Sequence, residues 1–107
     1  MTLYLMNSSV LTSEGTFTYK RISLNEARKL TKNGEFNSAI GHQSTAHAMS
    51  KILHVDVPCQ RVEIFQKPGD VVLVFKLDNR LPEGKILSEQ EVYDAGFKWF
   101  LLTKKEV

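Results

Sequence analysis

A chain of 107 residues with 42% apolar and 24% charged side chains has the size and balance of one folded domain, which excludes a disordered tail and a miniprotein held together by disulfides. Its formal net charge of +2 is too small for the basic stripe that marks a general nucleic-acid binder. The lone Cys59 excludes an intrachain disulfide and a cysteine-based zinc cluster, and reads as a buried, inert thiol in a reducing compartment. No charged and apolar leader is seen and no apolar run approaches the roughly 20 residues that span a bilayer, so a soluble, cytoplasmic chain without membrane contacts is expected.

Thr2 to Met6 reads as a strand that enters the polar loop Asn7-Ser8-Ser9. Thr16 to Ile22 reads as a second strand, with Phe17 and Tyr19 on one face and Thr18 and Lys20 on the other. Ser23-Leu24-Asn25-Glu26 matches a capping box and opens a helix through Leu24, Ala27 and Leu30 that stops near Asn33-Gly34. A second helix runs from about His42 to His54, with Ala46, Met49 and Leu53 as its inward stripe. Arg61 to Gln66 and Val71 to Leu77 read as a hairpin around Pro68-Gly69, residues suited to the centre of a type II turn. Ser88-Glu89-Gln90-Glu91 repeats the capping box and opens a third helix that ends at Gly96, before a last strand from Phe97 to Thr103. Lys104 and Lys105 read as a solvated end. These elements predict a single α+β domain, a mixed sheet of about five strands with about three helices packed against it.

The chemistry concentrates at Ser38-Ala39-Ile40-Gly41-His42-Gln43-Ser44-Thr45. A histidine here sits at a helix N-terminus, where unpaired N–H groups and the positive end of the macrodipole favour an anion such as a phosphate. Imidazole ordinarily titrates near neutral pH, so His42 is either a proton donor or simply a helix cap. Arg61 and Arg80 have the planar fork that grips two phosphate oxygens, or are surface ion-pair partners. Glu83 either orients Arg80, polarises a sugar hydroxyl, or is a solvated loop carboxylate. His47 and His54 stand too far apart for a zinc pair, and neither a nucleotide-binding Gly-rich loop nor a Gly-x-Ser-x-Gly elbow is present. The residues therefore point to phosphodiester chemistry without a metal or other cofactor.

Four stretches in order, Tyr4-Leu5-Met6-Asn7, Ala39-Ile40-Gly41-His42-Gln43-Ser44-Thr45, Gln60-Arg61-Val62-Glu63 and Arg80-Leu81-Pro82-Glu83-Gly84-Lys85-Ile86-Leu87, resemble the viral-type ring nucleases, type III anti-CRISPR proteins that degrade cyclic tetra-adenylate. The resemblance implies His42 as general acid and Glu83 as its active-site glutamate. It further implies Arg61 and Arg80 as ligand-binding arginines and Asn7 as a pocket residue. Val10 stands near the position of a ligand-facing serine, so Ser8 or Ser9 takes that role. Gln43 replaces an acidic residue, and Asn79 a glutamine, that are common in the family. A homodimer that holds the ring across its interface is implied as well, acting in the host cytoplasm where a virus or mobile element encodes it. The alternative is a non-catalytic protein that sequesters a cyclic nucleotide or binds DNA; DNA is the less expected partner.

Overall fold

The structure, a computed structural model, describes residues 2–8, 11–79 and 86–106. Its elements are β1 (Leu3–Met6), β2 (Thr16–Ile22), α1 (Leu24–Thr31), β3 (Asn37–Ser38), α2 (Gln43–Leu53), β4 (Val71–Leu77), α3 (Glu89–Ala95) and β5 (Phe97–Glu106). The five strands form one sheet in the order β2-β5-β4-β1-β3. β3, β1 and β4 run parallel, while β5 is antiparallel to both β4 and β2. The α+β class with a five-stranded mixed sheet and three helices is as expected.

Period-two alternation sorts the strand residues between two faces. Leu3, Leu5, Leu73, Phe75 and Trp99 join Ala46, Met49, Ile52 and Val92 from the helices in the main core. On the opposite face Val72, Val74 and Leu102 pack with Ile64, flanked by half-buried Tyr4, Met6, Phe17 and Phe100. Phe17 thus lies where its alternation put it, and Tyr19 stacks on Phe100 at 4.7 Å between ring centroids.

Helix boundaries follow local chemistry. Ser23 with Glu26, and Ser88 with Glu91, form complete capping boxes at α1 and α3. Gly96, at φ 81°, ends α3 as expected. The stripe of α1 departs from expectation at its end. Leu30 is exposed and Thr31 is buried instead, its hydroxyl donating to Ala27 O at 3.0 Å so that the polar atom is satisfied within the helix.

Three other expectations are corrected. Arg61 to Gln66 is not a strand and forms no hairpin with β4. The turn at Pro68-Gly69 is present, with Gly69 at φ 91° and Asp70 N–H donating to Lys67 O. The stretch before it lies against the helix-free face through Ile64, with no ladder. The missing strand is β3, whose polar, two-residue sequence gave no apolar alternation to read. Cys59 is exposed: it lies between Pro58 and Gln60, which bond to Ser38 and Ile40, in a segment outside the sheet. Lys104 is buried at 4% exposure while Lys105 is exposed, because bonds to residues far away in sequence hold the Lys104 ammonium inside.

Candidate functional site

Parallel strands gather their carboxyl ends on one rim of a sheet, and the loops that leave that rim build ligand sites. Here β1 and β3 are paired at Leu5 and Ser38, and Ala39 N–H donates to Leu5 O at 2.9 Å. This register brings Asn7, just past β1, beside the Ile40-Gly41 stretch that leads into α2. Asn7 is half-buried at that rim.

His42 is the N-cap residue of α2, in extended conformation at φ −122° and ψ 126°. Its backbone oxygen accepts from Ala46 N–H at 3.0 Å, yet its side chain makes no capping bond. No acidic residue occupies the first turn of α2. The helix therefore presents its leading N–H groups and the positive end of its dipole without a built-in anion, whereas α1 and α3 close theirs with a serine and a glutamate. The His42 ring is exposed, and among the described residues none hydrogen-bonds to it.

Arg61 arrives from a different part of the chain. Ser38 Oγ donates to Pro58 O at 2.6 Å and Gln60 N–H donates to Ile40 O at 2.7 Å. These two bonds lay Pro58 to Gln60 alongside the outer edge of β3 and deliver the next residue to Gly41. Arg61 Nη2 then donates to Gly41 O at 3.2 Å. The close approach needs glycine: a Cβ on Gly41 would stand 3.3 Å from Arg61 Nε and 3.5 Å from its Cγ. The one bond to Gly41 uses a single guanidinium donor of five, on a side chain that is otherwise exposed. The β1–β3 register and the Arg61–Gly41 bond thus put Asn7, His42 and Arg61 on one rim of the sheet, beside an N-terminus of α2 that has no side-chain cap. Chemically that set can bind a phosphodiester and give it a proton.

Ser9, Arg80 and Glu83 lie outside the described residues. Asn79, just before Arg80, is tied to the end of α3 by Nδ2 donating to Ala95 O at 2.8 Å. The other histidines belong elsewhere. His47 pairs with Gln43 at 3.1 Å, and His54 with Glu89 at 3.0 Å. Both line a groove of about 460 Å³ along the outer flank of α2 that excludes His42, Arg61 and Asn7. Among the described residues no group of three or more His, Cys, Asp or Glu stands close enough to hold a metal ion, and no helix is long and apolar enough to cross a membrane. Sequence reasoning missed the Pro58–Gln60 edge and a buried polar knot of Thr12, Ser13, Gln66 and Lys104, since neither carries a local pattern.

Comparison with known proteins agrees with this frame. The chain is 36% identical over 108 residues to the ORF117 protein of Acidianus two-tailed virus, covering 95% of this chain and 92% of that one. It is 35% identical over 104 residues to protein 26 of a Sulfolobus islandicus filamentous virus, covering 92% of this chain and 88% of that one. The similarity extends to bacteria: YddF of Bacillus subtilis is 30% identical over 106 residues, covering 97% of this chain and 98% of that one. Among solved structures, B116 of Sulfolobus turreted icosahedral virus shares the fold, with a TM-score of 0.83 over 96% of this chain and 99% of that one, at 24% identity. With the STIV B116-like family model matching residues 3–99, the chain belongs to the STIV B116-like family.

Proposed function

We propose that the protein is a metal-independent ring nuclease that cleaves cyclic tetra-adenylate and so switches off type III CRISPR signalling. The observation that carries the reading is the junction of an uncapped α2 N-terminus, the exposed His42 ring and the Arg61 guanidinium held on Gly41. In the proposed reaction a ribose 2′-oxygen attacks the adjacent phosphorus. The 2′-O–P bond forms as the P–O5′ bond breaks, and protonated His42 gives its proton to the departing 5′-oxygen while the 2′-hydroxyl proton leaves to solvent. The products carry a 2′,3′-cyclic phosphate and a 5′-hydroxyl. Arg61 and the α2 N–H groups hold the phosphate and its growing charge, Asn7 lines the pocket, and alignment for in-line attack supplies much of the acceleration. Ser9, Arg80 and Glu83 take the roles that the family resemblance gives them.

A homodimer is part of the proposal. A fourfold ring contains the twofold axis of an isologous pair, so each His42 serves one of two opposite linkages. The segment whose Ile64 packs on the sheet face without helices exposes Val62 and Phe65, and with exposed Tyr19 these offer apolar surface for a second copy.

One observation favours the alternative, a protein that sequesters the ring without cutting it: among the described residues nothing orients the His42 imidazole. Calorimetric titration of wild type and His42→Ala with cyclic tetra-adenylate separates the two. The nuclease reading expects one ring per two chains, retained affinity in the variant and turnover only in wild type. Equal binding by both with no turnover in either identifies a sequestering protein. DNA binding would appear instead as affinity for any duplex that falls steeply with salt.

A further inference from the structure

The polar knot lies at the end of the sheet opposite the site. Lys104 N–H donates to Asp70 O, at the amino end of β4, and Thr103 pairs with Val71. A buried ammonium must be hydrogen-bonded to be tolerated. Lys104 Nζ donates to Ser13 Oγ at 2.9 Å and to Gln66 O at 3.1 Å, 5.9 Å from the centroid of the Phe17 ring. Around it, Thr12 N–H donates to Gln66 Oε1 at 3.0 Å, Gln66 N–H donates to Thr12 Oγ1 at 2.9 Å, and Ser13 Oγ donates to Gln66 O at 2.7 Å. Gln66 is itself 3% exposed.

These bonds join two stretches that both begin at the site. One leaves β1 at Asn7 and reaches Thr12; the other leaves Gly41's side at Arg61 and reaches Gln66, with Ile64 packed on the sheet between. The stretch from Arg61 to Gln66 is held by no strand ladder: its near end is tied by Gln60 N–H to Ile40 O, and its far end by the side-chain bonds to Gln66. Extended chain advances about 3.3 Å per residue. A slip of one residue therefore moves Arg61 well beyond the roughly 1 Å misplacement that costs a positioned reaction about 100-fold.

We propose that Thr12, Ser13, Gln66 and Lys104 form a positioning clamp that, from the opposite end of the sheet and together with the Gln60–Ile40 bond, sets the register of Arg61 at the site. The proposal rests on the reading of Arg61 as a ring-holding residue. Only backbone and side-chain atoms remote from the ligand are involved, so these are positioning residues.

The test uses Thr12→Val, which removes the acceptor for Gln66 N–H at constant shape, with Thr12→Ser as the conservative partner and Lys104→Met as a second route to the same lesion. Two readouts are taken: affinity for cyclic tetra-adenylate in the His42→Ala background, and amide exchange at Gln60, whose N–H is bonded to Ile40 O. The clamp predicts about tenfold weaker binding in Thr12→Val and Lys104→Met, rescue in Thr12→Ser, and faster Gln60 exchange with α2 and β4 amides unchanged. Unchanged Gln60 exchange and affinity, with only a lower melting temperature, would overturn it. If the wild-type chain binds no ring, the functional reading fails, and Gln60 exchange alone decides whether the clamp sets the register.

Discussion

At the scale of single residues, the site depends on what glycine leaves open. Gly41 is not among the residues with positive φ, so alanine fits its backbone and narrows the unfolded ensemble, an effect of about 0.4–1 kcal/mol in favour of folding. The added methyl would nonetheless press on Arg61 Nε at 3.3 Å. Gly41→Ala is thus expected to melt no lower than wild type and yet to bind cyclic tetra-adenylate several-fold more weakly. A thermal melt beside a titration checks both halves. Gly41 and His42 were legible in the sequence because their meaning is local: a flexible residue, then a titratable one, at the first turn of an apolar helical stripe. Cys59 and Lys104 were misread for the opposite reason. Their burial is decided by partners far off in the chain, such as Ser13 at the other end of the sequence from Lys104.

At the scale of elements, capping separates α2 from its neighbours. The serine boxes of α1 and α3 were readable because their logic spans only four residues, and Ser88→Ala should lower stability by about 1 kcal/mol in a denaturant titration. α2 lacks that device, and its leading N–H groups have no side-chain cap. His42→Asp would supply the missing acceptor and a favourable charge at the helix start. It is expected to raise the melting temperature while abolishing ring binding and cleavage; a lower melting temperature would contradict the description of an open anion site. Arg61 to Gln66 shows where element reading ended. From Glu63 on its residues alternate like those of a strand, with Ile64 and Gln66 buried and Glu63 and Phe65 exposed, yet alternation reports only that one side faces a core. Side-chain bonds from Thr12, Ser13 and Lys104 take up the Gln66 backbone groups.

At the scale of the whole molecule, the class of fold was legible and its wiring was not. Four apolar strands and three helices specify layers, but the pairing of Leu3 with Val71 joins residues from opposite halves of the chain and leaves no local trace. The parallel pairing of Leu5 with Ser38 likewise joins distant stretches, and it assembles the candidate rim from β1, β3 and the start of α2. The same architecture leaves one sheet face without helices, and on the proposed dimer Phe65→Glu, at a side chain 66% exposed in the single chain, should leave the fold intact and shift sedimentation from dimer to monomer. The most direct test is incubation of the purified protein with cyclic tetra-adenylate in excess chelator, with products resolved by mass spectrometry and His42→Ala alongside. Linear products ending in a 2′,3′-cyclic phosphate, lost or slowed about 10²- to 10⁴-fold in the variant, are the predicted result; an intact ring, or cleavage that proceeds equally without His42, would contradict it.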